Sequence, residues 1–206
     1  EQVRPAAGAA DVVAASPLVL AGGDRFLRGT LTHALLEHLP SLPPTTWEQA
    51  AAQFLKARAR NLSAHTQASI AAETVRVLRD PAFAAVFGPD SQPEVPIVGE
   101  IENPAIRGPV LRIFGQIDRL VRTATEILII DYKTNRPPPT EVADIPLAYL
   151  YQMASYRLIL AKIFPKLPVR AAILWTDGAR LMAIPDETLD RHEAMLWQLG
   201  SSRLDA

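Results

Sequence analysis

The spacing of apolar residues divides the chain into a helical first half and a strand-rich second half. In "FLRGTLTHALLEHLP" (26–40), Leu31, Ala34, Leu35 and Leu39 recur at helical intervals and predict a helix near 29–39. "TTWEQAAAQFLKARA" (45–59) predicts a second helix, with a Thr N-cap and Glu48 in its first turn. "SAHTQASIAAETVRVLRD" (63–80) predicts a third, capped by Ser63 and ended by Pro81. After about residue 90 the period changes. "EVPIVGEI" (94–101) is short and rich in β-branched residues, and "VLRIFGQIDRLVRT" (110–123) alternates apolar and polar positions. "EILIIDYKT" (126–134) is a dense aliphatic run, as a strand covered on both faces requires. "IPLAYLYQMASYRLILAKIF" (145–164) predicts a long helix, "VRAAILWT" (169–176) and "ARLMAI" (179–184) two strands about an Asp177-Gly178 turn, and "PDETLDRHEAMLWQLG" (185–200) a closing helix. The order is helices, three strands, a helix, two strands and a helix, which predicts an α/β or α+β domain with a mixed sheet. No internal repeat is visible.

Charge interrupts this pattern at one place. Asp118, Asp131 and Lys133 sit inside the most strand-like segment, where an unpaired charge is costly. Residues 131 and 133 are two apart on a strand and so share a face. A turn at "ATE" (124–126) would bring Asp118 opposite Asp131. Two adjacent carboxylates repel, and a divalent cation relieves the repulsion. Oxygen ligands with room for water suit Mg²⁺ or Mn²⁺, and a neighbouring ammonium can position a water or stabilise phosphoryl charge. The same residues are also compatible with an edge-strand ion pair and a capped turn.

Composition narrows the choices. The 206 residues are 49% hydrophobic and 21% charged, ordinary values for one globular domain. The 18 prolines cluster between the predicted elements, as loop markers do. Residues 1–24 read as a linker from a preceding segment, because "EQVRPAAGAADVVAASP" has neither a start Met nor a signal pattern. Residues 25–206 then form the domain, with a helical part over 25–90 and an α/β core over 91–206. A net charge of −1 gives no basic excess, so any nucleic-acid binding rests on a local patch. The absence of cysteine excludes disulfides, a Cys-ligated zinc and an Fe–S cluster in this chain. No run of about 18 apolar residues supports a membrane span.

Four segments in order carry a resemblance. "RGTLTHALLEHLP", "GQIDRL", "ILIIDYKT" and "YQMASY" resemble the motifs of the PD-(D/E)XK nuclease superfamily in its RecB-like branch. Within that branch they are most similar to the C-terminal nuclease domains of AddA-type helicase–nucleases. The resemblance covers roughly residues 26–185. It implies a restriction-endonuclease-like fold, a mixed central sheet flanked by helices. It implies a metal held by His33, Asp118, Asp131 and the backbone carbonyl of Tyr132, with Mg²⁺ as cofactor and Mn²⁺ as an alternative. Lys133 would be the catalytic lysine. Gln152 and Tyr156 match a Q-x-x-x-Y motif on one helix face and would contact substrate phosphate or hold the lysine in place.

Arg107, Arg112, Arg119, Arg122 and Arg136 surround the acids in sequence, and Arg119 and Arg136 are the expected DNA contacts because they flank the metal carboxylates. Glu94 and Glu100 are possible extra acids, with a solvated strand edge favoured for both. Gly115, three residues before Asp118, would let another segment approach the backbone or let the strand bend. His38, five residues after His33, faces elsewhere on the helix and toward solvent, and His65 and His192 have no motif around them.

The resemblance further implies hydrolysis of single-stranded DNA ends in the processing of double-strand breaks, in a bacterial cytoplasm, beside a helicase motor and an AddB-like subunit. No G-x-x-x-x-G-K-[ST] motif occurs here, so the motor would lie elsewhere in the polypeptide. The alternative is a catalytically silent DNA-channel or subunit-docking module with the same fold. Retention of Asp118, Asp131 and Lys133 speaks against it.

Overall fold

The computed structural model describes residues 9–13, 23–102 and 110–201. Helices α1 (Gly23–His38), α2 (Trp47–Arg58) and α3 (Ala64–Arg79) occur where apolar periodicity places them. Ser63 Oγ accepts from Thr66 N–H at 3.1 Å and so caps α3. Thr46 precedes α2, but its hydroxyl donates to Pro43 O instead of capping the helix. The strands β2 (Ser91–Ile101), β3 (Val110–Arg122), β4 (Ile127–Lys133), β5 (Val169–Trp175) and β6 (Arg180–Ile184) follow, with α4 (Leu147–Ile163) between β4 and β5 and α5 (Asp186–Ser201) last. One further strand, β1 (Ala9–Val13), runs parallel to β3 within the stretch expected to be linker.

The sheet is mixed. β2, β3 and β4 form antiparallel pairs, β4 and β5 are parallel across α4, and β6 returns antiparallel. Each face carries its own apolar core. Ile127 and Ile129 of β4 pack with Met153, Ile159 and Leu160 of α4 and with Leu189 and Leu196 of α5. Ile130 and Tyr132 face the other way, onto Leu35, Leu36, Leu55 and Ile70 of α1–α3. Coverage on both faces explains why β4 is a nearly continuous aliphatic run. No helix among the described residues is long and apolar enough to cross a membrane.

The pairing of β3 opens a gap that matters for function. One long edge of β3 pairs with β2 almost throughout. The opposite edge pairs with β1 over Val110–Phe114 and with β4 over Arg119–Arg122. Between these, residues 115–118 have no strand neighbour on that edge among the described residues. The facing of β3 also inverts here: Leu111, Ile113 and Ile117 join the α4-side core, whereas beyond Asp118 Leu120 does so and Val121 joins the α1–α3 side. Across from Asp118 in register, Glu94 has φ 50°, a left-handed conformation that few non-glycine residues adopt.

Candidate active site

The gap in β3 forms the floor of an open cleft of about 540 Å³, roofed by α1 on one side and α4 on the other. His33, Asp118, Asp131, Lys133, Gln152 and Tyr156 all line it. The hairpin register runs as far as Arg119↔Ile130, so Asp118 and Asp131 are the next residue on each strand, consistent with the closeness expected from the turn position. There the strands part, and Asp118 bridges them: its Oδ2 accepts from Tyr132 N–H at 2.6 Å.

Two polar chains meet in this cleft. In the first, the His33 Nδ1 lies 3.3 Å from Asp118 Oδ1, and its Nε2–H donates to the Tyr132 carbonyl at 3.0 Å. Burial alone would lower the His33 pKa, but the Asp118 carboxylate outweighs burial and raises it. Burial and His33 act oppositely on Asp118 too, and His33 leaves that carboxyl below its usual value. In the second chain, Lys133 Nζ sits 2.5 Å from Asp131 Oδ2 and donates to Gln152 Oε1 at 3.3 Å. Gln152 Nε2 donates to Tyr156 Oη at 3.2 Å, which also accepts from Gln116 N–H at 3.2 Å. Gln116 lies on the open edge of β3, so Tyr156 supplies the acceptor that a neighbouring strand would have supplied. In this geometry Gln152 contacts the lysine and Tyr156 contacts Gln152.

The glycine at 115 is a steric requirement. A Cβ there would lie 2.2 Å from Tyr156 Oη and 2.6 Å from Tyr156 Cε1. Gly115→Ala is therefore expected to displace Tyr156, unlink Gln152 from its tyrosine and destabilise the fold by about 1–3 kcal/mol. Urea unfolding measures the stability loss, and the hydrolysis rate reports the slackened lysine.

Two acids of the cleft are held above the usual carboxylate range, chiefly by burial. Burial raises Asp131 to about 6 against the pull of Lys133, and Asp118 adds to the rise. Burial and Asp118 raise Glu94 to about 7. Ligand atoms of His33, Glu94 and Asp118 lie within 4.8 Å of one another. This donor set of carboxylates, a carbonyl and an imidazole, with no thiolate, fits a hard divalent cation. Glu94 thus joins the cleft, contrary to the solvated edge favoured for it in sequence. Glu100 keeps that reading, as an exposed partner of Arg112.

These shifts set the pH response of the metal-free protein. Asp131 and Glu94 titrate higher when folded than unfolded, so the folded state binds more protons and stability falls as pH rises from about 4 through about 6 and 7. The contribution of His33, also raised, is present at low pH and is lost as pH rises through its folded value. All three have the same sign. Melting temperature in chelator should therefore fall between pH 5 and pH 8, and a divalent cation should flatten the slope because it binds the deprotonated ligands.

Arg119 departs from expectation. It is 3% exposed and faces α1 rather than solvent. Its guanidinium donates to Leu36 O at 2.6 Å, Tyr132 Oη at 2.9 Å and Ser91 Oγ at 3.3 Å, and stacks on Phe87. It cannot reach a phosphate without abandoning these partners, so the expected DNA contact is corrected to a tie between α1 and the sheet. Arg119→Met should cost about 2–4 kcal/mol by stranding buried acceptors while leaving the salt dependence of DNA affinity unchanged, since no phosphate contact is removed. Arg136 is partly exposed, but it pairs with Glu73 and lies 3.4 Å from Asp177. Glu73 itself is buried, accepting from Arg28 at 2.5 Å, from Arg136 and from Thr176 Oγ1 at 2.6 Å. Glu73, which no sequence motif marks, joins α1, α3, the turn after β5 and the loop after β4. Arg122 lies over the Phe164 ring, away from the cleft. Arg107 lies outside the described residues.

The family model described as the PD-(D/E)XK nuclease superfamily matches residues 17–200. This chain belongs to that superfamily. A curated relative, one of the subunits of the ATP-dependent helicase/nuclease of Moorella thermoacetica (strain ATCC 39073 / JCM 9320), is 27% identical over 169 residues. The match spans 73% of this chain but 11% of that protein. A solved structure titled "Crystal structure of SSO0001" shares 15% identity over 88% of each chain, with a TM-score of 0.35. Membership assigns a nuclease role and a divalent-metal site to the superfamily cleft.

Proposed function

We propose that this domain is a Mg²⁺-dependent deoxyribonuclease that hydrolyses phosphodiester bonds of single-stranded DNA ends, with Mn²⁺ able to substitute. The observation that carries the reading is the meeting of Asp118, Asp131 and Lys133 in one open cleft, with the lysine held by Gln152. His33, Asp118, Asp131 and the Tyr132 carbonyl would hold the cation, with Glu94 as a further ligand. The cation, when bound, polarises the scissile phosphate and acidifies water.

The chain's own residues supply orientation and charge. Burial would lower the Lys133 pKa, but Asp131 and Asp118 outweigh it and raise it. Lys133 is therefore an ammonium at neutral pH, suited to orienting water and stabilising the developing negative charge rather than to removing a proton. Gln152 and Tyr156 fix its direction. Asp118 keeps β3 and β4 at the separation the cleft needs by accepting from Tyr132 N–H.

The likeness to part of a helicase/nuclease supports a helicase-linked setting; that this is a bacterial, cytoplasmic enzyme processing double-strand breaks beside an AddB-like subunit is part of the proposal. The test is cleavage of end-labelled single-stranded DNA in Mg²⁺ by the wild type and by Asp131→Ala. Cleavage by the wild type that Asp131→Ala abolishes supports the reading, and equal cleavage by both overturns it.

A further inference from the structure

Of the six phenylalanines, Phe26 and Phe114 alone are exposed, at 43% and 45%. Both lie on lines of residues that lead out of the cleft. On α1, Phe26 stands four residues before Thr30 and seven before His33, so all three share one helix face, and Thr30 and His33 line the cleft. On β3, Phe114 is two residues before Gln116, which also lines the cleft, and so shares its face of the strand. Phe114 pairs across β2 with Val98, itself 67% exposed, and the next pair on that face is Arg112 with Glu100.

The two lines run in the same sense. His33 meets Asp118 and, further along each element, the Leu36 carbonyl meets Arg119, so the two contacts follow the same chain order. Seven helical residues rise roughly 10 Å and four strand residues roughly 13 Å. Counted along its own element, each ring therefore stands at a similar distance from the residue, His33 or Asp118, that meets the other at the cleft. Exposed aromatic faces beside a phosphodiester cleft are the means by which proteins grip unpaired bases without reading sequence. A duplex keeps its bases stacked inside and cannot use them.

We propose that Phe26 and Phe114 form a base-stacking entrance that makes this cleft selective for single-stranded nucleic acid. The occupant is a DNA single strand, because the track is continuous with a cleft built for its backbone. The inference rests on the nuclease reading above and adds the residues that choose the strand state.

Binding is measured by fluorescence anisotropy of a labelled oligonucleotide of roughly 15 nucleotides, with Ca²⁺ replacing Mg²⁺. Phe26→Ala and Phe114→Ala are each expected to weaken single-strand affinity about fivefold to tenfold. Tryptophan at either position should restore it and leucine should not, since leucine is apolar but cannot stack. Duplex affinity should change less than about twofold, as should single-strand affinity in Ile163→Ala, an exposed apolar control on α4. Melting temperature checks folding of every variant.

A double alanine variant that binds single strands as the wild type does overturns the proposal. Full restoration by leucine, equal loss for duplex, or no binding by the wild type also overturns it. Cleavage unaffected by Asp131→Ala would overturn the nuclease reading instead, and the binding series would still decide the stacking entrance.

Discussion

Asp131→Asn is expected to lower DNA hydrolysis about a thousandfold or more and to abolish the stabilisation that a divalent cation gives the fold. The carboxylate is 2% exposed, lies opposite Asp118 and is raised to about 6, so its negative charge is held against burial. A bound cation turns that penalty into attraction. At cation concentrations about a hundredfold above Kd, binding stabilises the folded state by about 2.7 kcal/mol. For a chain of this size that is a rise of roughly 5–10 °C in Tm. Asparagine keeps the shape and one acceptor oxygen but loses the charge, so the metal-dependent rise should vanish, and the metal-free protein should unfold earlier than the wild type because the buried Lys133 loses its carboxylate. Thermal unfolding with and without Mg²⁺, alongside the cleavage rate, separates lost metal binding from misfolding. A variant that keeps the full metal-dependent rise would remove Asp131 from the ligand set.

Lys133→Met should also abolish cleavage, but with the opposite stability signature. Lys133 is 2% exposed, pairs with Asp131 at 2.5 Å and packs over the Tyr149 ring at 4.3 Å. Methionine fills similar space and strands a buried carboxylate, a loss of about 3–5 kcal/mol. Without its ammonium, Asp131 should titrate higher still. The folded state then holds the proton over a wider range, so the deficit is largest near pH 8 and shrinks toward pH 5. Adding Asp131→Asn to Lys133→Met should recover most of the loss, because the stranded charge is gone. Urea unfolding of the two single variants and the double variant measures this coupling. A double variant no more stable than Lys133→Met would show that the pair contributes little to the fold.

The sequence by itself determined the elements and the central pair of strands. Apolar spacing placed α1 through α5 and β2 through β6, because each buries one face or two against a core and its periodicity records that burial. The Asp118–Asp131 register was legible as well, since a short hairpin fixes it by counting from the turn. The site residues outside that hairpin rested on motif order. His33 is 99 residues from the Tyr132 carbonyl it contacts, and no local pattern records so distant a meeting.

Tertiary structure decided what local pattern cannot hold. Glu94 turns to the cleft because it lies opposite Asp118 and takes a left-handed φ, whereas Glu100, six residues on, pairs with Arg112 outside. The proline-rich connection between β2 and β3 hides that register from the sequence. Arg119 and Arg136 flank the metal acids in sequence, but β3 reverses its facing at Asp118 and carries Arg119 under α1, while Glu73 draws Arg136 to α3. Gly115 could be suspected of admitting a close neighbour, but only the packing of α4 identified that neighbour as the Tyr156 ring. Local spacing fixes which face a side chain shares with its near neighbours along the chain. Which distant group meets it there depends on how the layers pack, and that is where the lysine, the acids and their supports were brought together.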